Sequence, residues 1–127
     1  MGRQRRRCSE ATLRGTYLFR DQGVDETGRT FAGAGYEYFD GKGHSEGVFS
    51  HHDYGERSAH NARYSGTYTV NANCTGTATY PEFGEFDLFI DPEGHTFMWV
   101  QTRPRRSEGV SGVYQRVAQA DLTSVRS

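Results

Sequence analysis

The sequence predicts an all-β chain folded as a single eight-stranded antiparallel up-and-down β-barrel. Three observations carry this. Apolar and polar residues alternate with period two almost throughout. Turn chemistry falls at most junctions between the alternating runs. The composition suits strands and tight turns: 127 residues hold 16 glycines, 3 prolines and 13% aromatics. No segment of helical length carries a clean 3.6-residue stripe, so no helix longer than about two turns is expected between residues 15 and 117.

The elements follow in order. A first strand is expected over Gly15–Gly23, with Tyr17 and Phe19 inward. A second, Thr30–Asp40, turns Phe31, Gly33, Gly35, Glu37 and Phe39 to the same side and stops at DGKG. The third is His44–Tyr54. The fourth, Ala62–Asn71, places Tyr64, Gly66, Tyr68 and Val70 inward and ends at NAN. The fifth, Cys74–Pro81, contributes Ala78 and Tyr80. The sixth, Glu85–Asp91, contributes Phe86, Leu88 and Ile90 and ends in DPEG. The seventh, His95–Thr102, contributes Phe97, Trp99 and Gln101. The eighth, Gly109–Val117, contributes Gly112 and Tyr114. Thr67, Thr69, Thr77, Thr79 and Asp87 fall outside. Short hairpins force antiparallel neighbours, and closing the sheet removes its edges. An open sandwich is the competing arrangement. Residues 1–12 read as an N-terminal arm, 13–117 as the barrel and 118–127 as a polar tail.

Charge and motifs narrow the function. The net charge of −1 leaves no nucleic-acid footprint across the domain, and arginine clusters only in RQRRR and RPRR. No run approaches the ~18 apolar residues of a membrane helix. MGRQRRR has no apolar stretch behind it, so a cytoplasmic location is expected, or a secreted one if a signal segment has been removed. A homodimer stays open. No GxGxxG or Walker pattern points to a nucleotide, and no GxSxG elbow points to hydrolysis. No cofactor is expected. SHHDYGERSAH gathers three histidines with Asp53 and Glu56, but neighbours on a strand face opposite ways, so no metal site is expected there. The segment reads as a polar rim loop from which His51 or His52 can reach a ligand. Cys8 and Cys74 are expected to lie near each other, bonded in an oxidising compartment and reduced in a cytosol.

CSEATLRGTYLF, FDGKG, YSGTYTVNANCTGTATY and FDLFIDPEG resemble small bacterial β-barrel proteins of the allene oxide cyclase-like kind, within the lipocalin-like group. The resemblance runs from Cys8 to Arg116 and is most specific over residues 65–77. Related barrels include polyketide cyclases, among them spirotetronate-forming [4+2] cyclases. It implies a hydrophobic small-molecule substrate and a cofactor-free cyclisation or isomerisation, against the alternative of a non-catalytic secreted module. The chain differs from the family pattern in its Arg-rich start and in carrying Glu37 where an aliphatic residue is usual.

Glu37 is therefore the sharpest residue. It alternates with Phe31, Gly35 and Phe39, so it faces the apolar side, unless a bulge turns Tyr36 and Tyr38 inward instead. The expected catalytic group is Glu37 with Tyr17, Tyr68 and Gln101 as hydrogen-bonding partners. Phe19, Phe39, His51, Tyr64, Tyr80, Leu88, Trp99 and Tyr114 are the expected substrate-binding wall, and the inward glycines are expected to leave a cavity beside them. Burial should favour the protonated acid. Glu37→Leu should then leave stability equal or higher. Pairing of Glu37 with Arg103 or Arg116 predicts the reverse.

Overall fold

In the computed structural model, residues 7–24, 28–53, 58–103 and 109–117 are described. Alternation builds eight strands: β1 (Arg14–Val24), β2 (Thr30–Asp40), β3 (His44–Asp53), β4 (Ser58–Val70), β5 (Thr75–Tyr80), β6 (Gly84–Ile90), β7 (Thr96–Arg103) and β8 (Gly109–Val117). Each pairs antiparallel with the next, and β8 returns to β1, which closes the barrel. The up-and-down barrel stands, and the sandwich does not. The expected Tyr54 end of the third strand, Glu56, the RPRR run beyond Arg103, RQRRR up to Arg6 and the 118–127 tail lie outside the described residues.

The turns show why the hairpins form where they do. In DGKG, Gly41 and Gly43 take φ of 79° and 108°, a region that strains any side chain with a Cβ. The Asp40 carboxylate accepts from the backbone N–H groups of Lys42 at 2.7 Å and His44 at 3.0 Å. Those bonds hold the Asp40 carboxyl below its ordinary value. β4 starts at Ser58, four residues before the expected Ala62. The reason is a register shift between Phe49 and His51: β3 re-pairs with Ser58 and Ala59 beyond it, while Asn61 takes a left-handed φ of 50°.

Burial divides the interior into two halves. At the end reached by DGKG, NAN and DPEG, the core is sealed: Leu13, Tyr17, Phe39, Phe97 and Leu88 are buried. Their rings meet edge to face, as Tyr17 and Phe39 do at 5.3 Å, while Phe97 stacks on Tyr114 at 4.3 Å. An N-terminal plug closes this end. A 3-10 turn, Glu10–Thr12, is capped by Ser9. The Tyr68 hydroxyl donates to the Leu13 carbonyl at 2.9 Å, and the Glu10 carboxylate accepts from the Val70 N–H. Arg116 donates to the Thr12 carbonyl at 3.1 Å and to the Tyr17 hydroxyl at 3.0 Å. Cys8 and Cys74 form a disulfide across 66 residues, joining arm and hairpin.

Constraining a loop of that length in the unfolded chain stabilises the fold by about 4 kcal/mol in the chain-entropy description. Cys8→Ser with Cys74→Ser is expected to lose about that much in urea unfolding. A loss under about 1 kcal/mol would show that the plug holds without the bond.

Candidate functional site

The two halves meet at Glu37, which is 0% exposed. β2 places it inward, as alternation requires, between Tyr17 on β1 and Gly47 on β3. Its partners come from further away. Tyr64 and Tyr114 donate to Oε1, both at 2.6 Å, and Tyr80 donates to Oε2 at 2.7 Å. Buried Ser45 lies near the carboxyl and slightly favours its charged form. Three phenols from β4, β5 and β8 thus converge on one carboxyl.

Inward glycines make this convergence possible. A Cβ at Gly47 would lie 2.7 Å from the Tyr64 hydroxyl, and one at Gly66 would lie 2.5 Å from the Tyr80 ring. Tyr64 and Tyr80 each cross a glycine to reach the carboxyl beyond it. The glycines expected to open a cavity are covered in the same way: Gly35 by Phe19 and Gly112 by Trp99.

The expected partners of Glu37 are corrected accordingly. Tyr17 is its cross-strand neighbour, but the Tyr17 hydroxyl turns away to donate to the Gly94 carbonyl. Tyr68 is committed to the N-terminal plug. Gln101 donates to the carbonyls of Phe83 at 2.8 Å and Arg103 at 2.9 Å, bracing the β5–β6 turn. Neither expected arginine pairs with the carboxyl: Arg116 holds the plug and Arg103 lies 3.5 Å from Glu85. Among the expected wall residues, Phe39 and Leu88 are sealed in the packed half. Phe19, Tyr80, Trp99 and Tyr114 are buried around the carboxyl, and Tyr64 and His51 are half-buried.

Electrostatics follow from this enclosure. Burial raises the Glu37 pKa, and the hydrogen bonds from Tyr114, Tyr64, Tyr80 and Ser45 only partly offset it. Burial, together with the Glu37 charge, lifts Tyr64, Tyr80 and Tyr114 well above the ordinary phenol value. Tyr68 is pushed up to about 12 by its own burial.

Above the cluster, inward side chains are only half-buried: Asp21, Phe31, Phe49, His51 and Tyr64. These partly exposed inward side chains lie toward the end away from the disulfide, and Tyr64 is the cluster member that packs against them. Phe49 and Phe83 pack on the Tyr64 ring at 5.5 and 5.9 Å. Asp21 was absent from the expected site. Its signal was available, because Tyr17, Phe19 and Asp21 are successive alternate residues on β1. Among the described residues no group of three or more His, Cys, Asp or Glu side chains is placed to hold a metal ion.

No protein-family model matches the chain, and no curated protein matches it in sequence. A solved structure of a redesigned β-barrel is similar in fold, with a TM-score of 0.51 and 20% identity over 85% of this chain and 94% of that one. The likeness is to a generic eight-stranded barrel. With its buried aromatic cluster, the chain is compatible with small-molecule binding.

Glu37→Leu is now expected to destabilise, reversing the sequence-based expectation. It strips the shared acceptor from three enclosed hydroxyls, and each orphaned hydroxyl costs about 1–3 kcal/mol. Allowing for hydroxyls that re-pair, a loss of about 2–4 kcal/mol is expected in denaturant unfolding. Adding Tyr64→Phe, Tyr80→Phe and Tyr114→Phe should recover most of it. An unchanged midpoint for Glu37→Leu alone would refute the satisfied-cluster account.

A second expectation concerns pH. A carboxyl whose folded pKa is raised contributes stability that is present below the unfolded value, about 4.5, and is lost as pH rises through the folded value. Wild type should therefore lose stability relative to Glu37→Gln as pH rises from 4.5 toward neutrality. The tyrosines act the same way above pH ~10, by up to about 1.4 kcal/mol per pH unit for each one still protonated in the fold. Phenolate absorbance from the cluster should then appear together with loss of the near-ultraviolet dichroism. Cluster ionisation in a chain that stays folded would contradict this.

Proposed function

We propose that the protein binds a small hydrophobic molecule in the recess at the end away from the disulfide, and acts on it as a cofactor-free cyclase or isomerase of a polyketide-like intermediate. One observation carries the reading: inward side chains are sealed at one end and solvent-reached at the other, above a floor of hydrogen-bonded phenols. The walls of the recess are aromatic, with Phe31 packed on His51 at 5.1 Å. Such walls suit a flexible apolar chain held in a reactive conformation, and that positioning removes much of an entropic barrier. One N–H aimed at a carbonyl, such as that of His51, adds roughly 2–4 kcal/mol. Glu37 touches only protein. It acts as a positioning residue that fixes Tyr64, in place of the substrate-protonating acid that alternation alone suggests.

The non-catalytic secreted module is the second reading. The packed half and the Cys8–Cys74 bond favour it, since a disulfide suits an oxidising compartment.

Two measurements separate the readings. Titration with β-ionone, an apolar ketone, is expected to change the fluorescence of Trp99, the single tryptophan. Phe49→Ala should weaken that binding about tenfold, as expected for lost apolar burial, while Phe89→Ala on the outer face should leave it unchanged. A linear polyene carrying a conjugated ketone should lose polyene absorbance at constant mass when cyclised. No saturable binding would defeat the ligand reading, whereas binding without conversion would leave the binding module.

A further inference from the structure

A second polar constellation, separate from the Glu37 cluster, lies on the inner face toward the end away from the disulfide. Asp21 on β1, Gly33 on β2 and His51 on β3 are cross-strand partners in one row of the inner face. The middle position is glycine for a steric reason. A Cβ at residue 33 would lie 2.6 Å from the Asp21 Oδ1 and 3.1 Å from the Ser50 carbonyl. The Asp21 carboxyl therefore lies over Gly33, leaning toward the strand that carries His51. The His51 ring is braced by Phe31 at 5.1 Å and Phe49 at 6.4 Å. Both polar side chains are half-buried. A carboxyl and an imidazole thus flank one glycine position beside the Phe31 and Phe49 rings.

We propose that Asp21 and His51 form a general base and general acid for allylic proton transfer on an apolar β,γ-unsaturated ketone. This rests on the ligand reading above and names its substrate class and reaction. The Asp21 carboxylate takes a proton from the carbon between the carbonyl and the alkene. The C–H electron pair moves into a new C=C bond, and the carbonyl π pair moves onto oxygen. The His51 N–H donates a hydrogen bond to that enolate oxygen. The carbonyl then re-forms, and the γ-carbon takes the proton back from Asp21. The product is the conjugated α,β-enone, with no net oxidation and no co-reactant. Enclosure supports the role: burial raises the Asp21 pKa, and the nearby His51 partly counters it. A partly desolvated carboxylate is a stronger base than a free one.

The test is conversion of 3-cyclohexen-1-one to 2-cyclohexen-1-one, followed by the absorbance of the conjugated product. Wild type should exceed an equimolar acetate and imidazole mixture by at least about 100-fold, the lower range for positioned acid–base catalysis. Asp21→Asn, which keeps the shape, should fall to that background. His51→Gln should lose about tenfold or more in kcat with KM little changed. Gly33→Ala, which leaves both groups present but displaces the carboxyl, should lose rate as well. Phe89→Ala should match wild type. A wild-type rate no better than the mixture, or an Asp21→Asn rate equal to wild type, overturns the proposal. If β-ionone still binds in that event, the acid–base pair fails and the ligand reading stands. If β-ionone does not bind either, both fail.

Discussion

Closing eight strands leaves an interior that side chains nearly fill, so a charged group placed there depends on the few polar groups that can reach it. Glu37 is the severest case in this chain, being fully enclosed and carrying two oxygens. Its requirement is met by phenols from three other strands, and those phenols need lanes. Gly47 and Gly66 supply two of them. Position 37 therefore constrains residues on β3, β4, β5 and β8 together. The aromatic packing follows from the same demand, because each ring that brings a hydroxyl to the carboxyl also fills the barrel. Tyr114 stacks on Phe97 and lies 4.8 Å from Phe19, while Tyr80 packs on Phe86 at 5.5 Å.

The carboxyl also divides the barrel. Below it, the plug supplies backbone acceptors to the two tyrosines that it meets: Gly94 for Tyr17, and Leu13 and Glu10 for Tyr68. Above it, Asp21, Gly33 and His51 form one inward row, and the Phe31 and Phe49 rings lie beside His51. The asymmetry is chemical as well as steric. A guest entering from above meets a carboxyl and an imidazole first, and then a floor of phenols already engaged by Glu37.

Much of the fold was legible because it rests on short-range signals. Period-two alternation and the DGKG, NAN and DPEG turns located all eight strands, and β2 and β8 begin and end where expected. Inward placement of Glu37 was legible for the same reason. Its partners were not, because adjacency along a ladder identifies neighbours about 4.8 Å away, while a phenol that crosses a glycine joins strands twice as far apart. Tyr17 is next to Glu37 in register yet bonded elsewhere; Tyr64 is two strands away and bonded to it. An inward glycine beside an inward carboxyl, followed by a tyrosine on the next strand, is a pattern that could be sought in other barrels. Asp21 escaped notice because a charged residue near a strand end reads as solvated, although strict alternation had already turned it inward.

A fully satisfied Glu37 bears on how the recess could work. A carboxyl that bonded a substrate directly would need to shed a phenol, leaving that hydroxyl buried and unpaired. The three bonds at 2.6–2.7 Å argue against such an exchange within a catalytic cycle. They favour a fixed floor, in which Tyr64 cannot swing toward a guest because its hydroxyl is held from behind. Any chemistry of the kind proposed would then fall to Asp21 and His51, while the buried acid keeps the surface beneath them rigid. Division of labour of that kind lets one half be optimised for stability without altering the half that holds Asp21 and His51.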